Sequence, residues 1–214
     1  PFLGTKSKDD AMTIHLHKND LPSDVTFSGA VAVDTETMGL NTVRDRLCVV
    51  QLSAGDGDAH LVQIDKGQTE APVLTGVLGD PAIIKIFHYA RFDLGILKTQ
   101  LDVWATPVYC TRTASKLVRT YTDKHGLREL CKQFLKIELN KQQQSSDWGA
   151  PELSKEQMEY AAHDVLYLHR LKDQMDEILQ REGRIELAQK CFDFLPVRAE
   201  LDVGGWNAMD IFEH

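Results

Sequence analysis

Short apolar runs recur along the first half of the chain at intervals that suit β-strands. The runs are rich in Val, Ile, Leu and Ala, and turn-forming residues lie near their ends, a pattern typical of buried strands. The predicted strands are residues 29–36, 47–53, 59–64, 82–88 and 107–111. The second and third are joined by Ala-Gly-Asp-Gly-Asp, whose glycines and aspartates suit a tight hairpin turn.

Apolar residues at helical spacing separate and follow these runs. The predicted helices are residues 70–80, 90–101, 113–122, 126–135 and 154–180. Ser154 and Gln157 are spaced as a capping box at the start of the last and longest helix. A polar stretch precedes this helix, and residues 195–214 show no clear helix. Because strands come first and then alternate with helices, the pattern predicts an α/β domain, a mixed sheet flanked by helices.

Composition is that of an ordinary folded domain. Of 214 residues, 43% are hydrophobic and 26% charged, and this length can bury a substantial core. We expect one domain over residues 12–194 and a C-terminal tail, residues 195–214, that could lie at a subunit interface. Residues 1–11, before Met12, read as an expression-tag remnant. No apolar run approaches the roughly 20 residues that a membrane span needs, so we expect no membrane partner.

The four cysteines are scattered and include no Cys-x-x-Cys pair. This spacing argues against a zinc site and against a disulfide framework. No signal peptide is visible. We therefore expect reduced, mostly buried thiols in a cytoplasmic protein.

Two carboxylates end the first predicted strand, in the sequence VAVDTETMGL, residues 31–40. Asp34 and Glu36 are two positions apart, so on a strand their side chains point to the same face. Like charges on one face repel unless a cation lies between them. The pair therefore indicates either a metal site or a solvated strand end.

Two further acids occupy positions that invite the same question. Asp93 lies where a helix follows a buried strand, and the helix dipole alone would favour an acid there. Asp164 lies well inside the last predicted helix, where Asp is a mediocre residue. Tyr160, four residues earlier, shares its helix face, and a simple hydrogen bond between the two would also explain the pair.

Taken in order, the segments DTET, HYARFD and EYAAHD resemble the three exonuclease motifs of the DEDD superfamily. Tyr160 stands four residues before Asp164, as in the tyrosine branch, whereas Glu159 stands where the histidine branch has its histidine. Residues 145–171 are especially similar to ribonuclease D, and the likeness extends over residues 29–179. A chain without the helical RNA-binding domains of ribonuclease D, but with the hairpin of residues 47–64, resembles most closely the short nanoRNase C type.

This resemblance implies a ribonuclease H-like fold and a two-metal-ion 3′→5′ exonuclease. Two Mg²⁺ or Mn²⁺ ions would be held by Asp34, Glu36, Asp93 and Asp164, with Asp34 bridging and Tyr160 orienting the attacking water. It further implies short RNA, dinucleotides in particular, as substrate, nucleoside 5′-monophosphates as products, and a ring-like homo-oligomer, for which an octamer is one form. Carboxylate oxygens are the ligands that such hard cations prefer.

Substrate contacts are predicted around these motifs, each beside a plainer alternative. Thr35, Thr37 and Gly39 could contact the 3′ nucleotide, although threonines at the end of a strand need no function. Met38 and Leu40 could wedge against bases or merely pack a turn. His88 could line the site or be a hydrogen-bonded core histidine. Trp148 could stack on a base, as aromatic residues on single strands do, or anchor its polar loop as an apolar plug.

A basic stretch follows the last predicted strand. Arg112, Lys116 and Arg119 share one helix face by spacing and form the best candidate for a phosphate-binding patch; a solvated face is the alternative. The net charge of −8 and pI near 5.5 disfavour a protein that coats long nucleic acid, but a local patch suits a short ligand.

Three functions stay open at this point. The first is the exoribonuclease for short RNA. The second is a broader ribonuclease D-like exonuclease that acts on longer RNA, as in tRNA 3′ processing, or on single-stranded DNA. The third is an inactive nuclease-like module that binds RNA or protein, which the presence of all four acids and Tyr160 disfavours. A scaffold without any nucleic-acid role is disfavoured by the three ordered motifs.

Overall fold

A computed structural model describes residues 12–139, 146–209 and 211–213. Within these residues six strands form one sheet, in the order β1-β4-β3-β2-β5-β6. The strands are β1 Thr13–Lys18, β2 Ala30–Thr37, β3 Leu47–Ser53, β4 Asp58–Gln63, β5 Ile84–Phe87 and β6 Val108–Cys110. The helices are α1 Pro72–Gly79, α2 Ala90–Leu101, α3 Thr111–Val118, α4 Leu127–Leu130, α5 Lys155–Leu166, α6 Leu168–Arg181 and α7 Ile185–Leu201. Two π-helical turns, Cys131–Leu135 and Asp202–Trp206, follow α4 and α7. The predicted α/β class, a mixed sheet flanked by helices, is confirmed.

All five predicted strands are present, and a sixth was missed. β1 pairs in parallel with β4 at the edge of the sheet. Its sequence, TIHLHK, has no fully buried position. An edge strand of this kind gives a weak apolar signal, and its partner lies 45 residues away, Thr13 opposite Asp58. The expected tag remnant, residues 1–11, lies outside the described residues.

The prediction of one continuous helix over residues 154–180 is wrong, because this segment forms two helices, α5 and α6. Tyr167 lies between them with φ −104° and ψ −4°, and the chain changes direction there. α5 packs on β2, β3 and β4, whereas α6 packs on α3. The periodicity continues across the break without Pro or Gly, so the sequence gives no stop signal at Tyr167.

Two other helix limits also differ from expectation. Residues 195–201 belong to α7, which runs through Pro196, although no clear helix was expected there. Burial of Ala188, Phe192 and Ala199 against its neighbours favours the helix despite the proline. α3 ends at Val118 rather than at residue 122.

The predicted motifs lie at the carboxyl ends of two neighbouring strands of the sheet. β2 and β5 are parallel neighbours, so their carboxyl ends lie side by side. Asp34 and Glu36 lie on the last half of β2, and α2 begins directly after β5 with Asp93 in its first turn. α5, which carries Asp164, crosses β2. Within the described residues no helix is long and apolar enough to cross a membrane.

The predicted capping box at the start of α5 is confirmed. The Ser154 hydroxyl accepts from the Gln157 backbone N–H at 3.2 Å, and the Gln157 side chain accepts from the Ser154 N–H at 2.9 Å. The Gln157 amide also donates to Ser146 Oγ and to the Asp147 carbonyl, both at 3.1 Å. The cap therefore fixes both the start of α5 and the loop that carries Trp148.

Candidate active site

Four carboxylates converge where β2, α2 and α5 meet. Oxygens of Asp34, Glu36 and Asp164 all lie within 4.8 Å of one another. Asp93 is 3% exposed, and its Oδ1 accepts a hydrogen bond from the Thr35 hydroxyl at 2.6 Å. The structure thus brings together all four acids that the sequence singled out.

Burial and mutual repulsion make the charged state of this cluster costly. Burial, and then the charges of Asp93, Asp164 and Glu36, raise the pKa of Asp34 well above its usual range. Burial raises the pKa of Glu36 to about 9, with Asp164 and Asp93 contributing. Burial likewise raises the pKa of Asp93 and of Asp164 to about 7. Such a cluster releases its protons more readily when a cation is bound within it.

The donor set fits divalent magnesium or manganese. The cluster offers carboxylate oxygens from four residues, and hard cations prefer oxygen ligands. Three of these oxygens are already close enough to share one ion. The residues present therefore fit the divalent ions that the sequence predicted.

Tyr160 lies on the same face of α5 as Asp164. Burial raises the pKa of Tyr160 above its normal value, and the charges of Asp164, Glu36 and Asp34 and a hydrogen bond to Asp164 add to this. The phenol therefore keeps its proton at neutral pH. It can hydrogen-bond a water molecule, but it is a poor base.

A cavity of about 660 Å³ opens over the carboxylates. Every residue predicted for the site lines it except Lys116 and Arg119 of the predicted basic patch. Those residues are Asp34, Thr35, Glu36, Thr37, Met38, Gly39, Leu40, His88, Asp93, Arg112, Trp148, Tyr160 and Asp164.

One side of the cavity mouth is apolar and exposed. Met38 is 51% and Leu40 89% exposed, so neither merely packs a turn. The Thr37 hydroxyl donates to the Gly39 carbonyl at 2.5 Å. A Cβ on Gly39 would come within 2.2 Å of the Asp45 carboxylate, so a larger residue here would require the Asp45 side chain to move. The turn thereby presents Leu40 to solvent beside the carboxylates.

Trp148 and His88 form deeper parts of the wall. Trp148 is 2% exposed, and its ring lies 6.0 Å from that of Tyr160, which is the geometry of a plug behind Tyr160. His88 Nδ1 lies 2.8 Å from the Thr111 hydroxyl. Burial and then the charge of Arg112 lower the pKa of His88 to about 3, so this imidazole is neutral at physiological pH.

The predicted basic patch is divided by the fold. Arg112 lines the cavity, whereas Lys116 is exposed outside the lining. Arg119 is 4% exposed. Its guanidinium donates to Ser115 Oγ, the Lys124 carbonyl and Gln133 Oε1, at 3.2, 2.5 and 2.6 Å. The expectation that Arg119 shares an exposed face with the other two was wrong, because α3 ends at Val118 and the chain turns inward.

Some lining residues were not predicted for the site. Tyr89 and Phe92 lie between His88 and Asp93 in the second motif, so the motif itself could have indicated them. Arg128 belongs to the basic stretch. The remaining additions, which no sequence signal marked, are Gly126, Leu127, Glu129, Leu139 and Ser146.

Comparison with known proteins agrees with this geometry. A family model for the 3′-5′ exonuclease matches residues 12–180. A solved structure of Brucella melitensis NrnC bound to pGG is 55% identical with a TM-score of 0.92, and the match covers 95% of this chain and 100% of that one. Another, B. melitensis NrnC with bound Mg²⁺, is 54% identical with a TM-score of 0.91 over the same shares.

Curated relatives are longer proteins. Ribonuclease D of Granulibacter bethesdensis is 34% identical over 185 residues, which cover 86% of this chain and 44% of that enzyme. This chain therefore spans less than half the length of the ribonuclease D sequences it matches. The resemblance to ribonuclease D, and to the short nanoRNase C type represented by NrnC, is confirmed. This chain belongs to the 3′-5′ exonuclease family.

Proposed function

We propose that this chain is a metal-dependent 3′→5′ exoribonuclease of the tyrosine-type DEDD class that hydrolyses short RNA, dinucleotides above all, to nucleoside 5′-monophosphates. The observation that carries the proposal is the cluster of Asp34, Glu36, Asp93 and Asp164 beside Tyr160 in one cavity. Membership of the 3′-5′ exonuclease family supports the reaction. The binding of pGG by B. melitensis NrnC supports the substrate.

Two ions, Mg²⁺ or Mn²⁺, would be held by the four acids. The charges of the other three carboxylates all act on Asp34, which supports a role for Asp34 with both ions. Glu36 and Asp164 would bind one ion and Asp93 the other. When bound, such a pair activates water and compensates charge on the departing 3′ oxygen.

The protein's own side chains would orient the reactants. Tyr160, protonated and half-buried next to Asp164, would hydrogen-bond the attacking water and hold it in line with the scissile phosphate. His88 is neutral and can exchange hydrogen bonds with a ribose hydroxyl. Leu40 and Met38 are exposed at the mouth and can contact bases, and Arg112 can bind a phosphate.

Size and charge favour a short substrate. A volume of about 660 Å³ falls in the range of small-molecule pockets, roughly 300–1,000 Å³. The net charge of −8 opposes contacts with a long polyanion outside the cavity. Arg112 and Arg128 supply positive charge within it.

The curated relatives favour a second candidate. They are ribonuclease D enzymes, so a broader exonuclease acting on longer RNA or on single-stranded DNA is the alternative within the same chemistry. Substrate length distinguishes the two candidate functions, because an enzyme specific for dinucleotides hydrolyses a strand more slowly when the strand is longer than its cavity.

Assembly and location follow from other features. We expect a homo-oligomer, with an octameric ring as one form, from the resemblance to the short nanoRNase C type. Exposed apolar side chains toward the C-terminus, such as Phe194, Val197 and Trp206, support a subunit interface there. Light scattering would give the subunit number. Free thiols suit a reducing compartment, in keeping with a cytoplasmic enzyme.

Hydrolysis of pGG, followed by chromatography, tests the proposal. With Mn²⁺ we expect guanosine 5′-monophosphate as product, and with excess EDTA we expect no release. Binding of pGG without any release in Mn²⁺ would refute the enzyme and leave an inactive RNA-binding module.

A further inference from the structure

Tyr89 has an unusual backbone conformation at the rim of the cavity. Its φ is 84° and its ψ 42°, in the left-handed region, which a bulky non-glycine residue rarely adopts. Tyr89 is the N-cap of α2, yet its side chain makes no capping hydrogen bond. Strain of this kind persists where the surrounding structure requires it, and it clusters at functional sites.

Burial does not account for the strain. Tyr89 is 47% exposed, so its ring is only partly removed from water. Its ring lines the carboxylate cavity and also a neighbouring cavity of about 530 Å³. The ring therefore stands at the boundary between these two openings.

What the ring does contact is Arg112. The guanidinium carbon of Arg112 lies 5.0 Å from the centroid of the Tyr89 ring, within the distance of a cation–π interaction. The Nε atom of Arg112 is buried and has no hydrogen-bond partner among the described residues. Within that same part of the chain, no ion pair of Arg112 occurs either. Contact with the Tyr89 ring is thus available to orient this cation.

The chemistry of a stacked guanidinium suits a phosphate. A guanidinium against an aromatic face keeps its in-plane N–H groups free, and these fit two phosphate oxygens at once. His88, which lines the same cavity, is neutral, so it does not compete for the anion.

We propose that Tyr89 is a positioning residue, whose strained backbone holds its ring against Arg112 and thereby fixes the guanidinium for a phosphate group of the substrate. This rests on the proposed function, which supplies the phosphate. That phosphate is either the scissile diester or a 5′-terminal monoester, and both present the oxygens that Arg112 would bind.

Replacing Tyr89 by asparagine relieves the backbone strain and removes the ring, so it shows whether the ring contributes to substrate binding. Asn tolerates the left-handed region but lacks the ring. We expect Tyr89→Asn to melt about 2–4 °C above wild type in EDTA. We expect its Kd for pGG, measured by calorimetry with Ca²⁺ to fill the carboxylates, and its KM with Mn²⁺ to rise roughly 3- to 30-fold, with kcat within about twofold.

Three further variants serve as controls. Tyr89→Phe keeps the ring and should match wild type in Kd. Lys136→Asn replaces another residue at positive φ, 61°, outside the cavity lining, and should leave Kd unchanged. In an Arg112→Gln background, Tyr89→Asn should change Kd by less than about twofold, because the ring then has no cation to hold.

These measurements identify which phosphate Arg112 binds, and they distinguish the positioning role of Tyr89 from the proposed exonuclease function. If Tyr89→Asn raises the Kd for pGG but not the Kd for 5′-hydroxyl GpG, Arg112 binds the 5′-terminal phosphate. If the variant raises the Kd for both ligands, Arg112 binds the diester. Both results support the positioning role. If Tyr89→Asn left the Kd unchanged, or raised it by the same factor in the Arg112→Gln background, the positioning role of Tyr89 would be overturned. Binding by wild type without turnover would refute the exonuclease alone, and no binding would overturn both.

Discussion

Replacing Asp164 by asparagine should stabilise the metal-free protein at neutral pH. Burial raises the pKa of Asp164 from 3.8 to about 7, so the folded state holds a proton on this group more tightly than the unfolded state does. Stability is therefore lost as the pH rises from about 4 to about 7. At about 1.4 kcal/mol per pH unit, the ionised carboxylate costs the folded state about 4 kcal/mol above pH 7.

Asparagine is uncharged, so it escapes this cost while its amide oxygen can still accept a hydrogen bond from Tyr160. In EDTA, the free energy of unfolding of Asp164→Asn should exceed that of wild type by about 4 kcal/mol at pH 8 and by about 2 kcal/mol at pH 5. Urea unfolding followed by circular dichroism at the two pH values measures both differences.

Bound metal should narrow this difference. Mn²⁺ at about 100 times its Kd stabilises a protein by about 2.7 kcal/mol. Wild type should gain this amount, and Asp164→Asn, lacking one ligand, should gain less and should show no hydrolysis.

A matched control shows whether the position matters. Asp173 is exposed on α6, and Asp173→Asn should change stability by no more than about 0.5 kcal/mol at either pH. If Asp164→Asn were no more stable than wild type at pH 8 in EDTA, or if its advantage did not grow with pH, the reasoning about a buried, repelling carboxylate cluster would be wrong.

The remaining predictions concern activity and packing. Asp34→Ala should abolish hydrolysis in Mn²⁺ yet keep the circular dichroism spectrum of wild type; near-normal turnover would contradict the metal assignment. Tyr160→Phe should lower kcat by about 10²-fold with little change in KM, and equal kcat would remove Tyr160 from the mechanism. Leu40→Ala should raise the KM for a dinucleotide at unchanged melting temperature. Arg119→Ala should cost about 2–4 kcal/mol of stability, because it breaks three buried hydrogen bonds, whereas Lys116→Ala should be neutral in urea unfolding.

Local patterns predicted much of this architecture. β3 is a mostly apolar run that is buried along its whole length, and β2 begins with an apolar run of which three residues are buried. α2 has the predicted limits of residues 90–101. The carboxylates could be found because Asp34 and Glu36 lie in the last half of a strand, Asp93 in the first turn of the helix after the next parallel strand, and Asp164 four residues after Tyr160 on one helix face. Their spacing within short motifs, rather than any long-range calculation, indicated the site.

What the sequence could not predict depends on contacts between distant residues. β1 is defined by its pairing with β4, and the break at Tyr167 by the different partners of α5 and α6. The helical spacing of Arg119 indicated an exposed face, but the chain leaves the helix one residue earlier. The left-handed backbone of Tyr89 has no sequence signal, because Tyr is not a residue that favours it.

The central claim is metal-dependent hydrolysis of very short RNA from the 3′ end. A 5′-labelled dinucleotide, a labelled 7-mer and a longer labelled RNA, incubated side by side with Mg²⁺ or with EDTA, test it most directly. The account predicts fast conversion of the dinucleotide to a labelled nucleotide, slower shortening of the 7-mer, little attack on the long RNA, and no reaction in EDTA. Equal rates on all three, preference for the long strand, or cleavage in EDTA would contradict it.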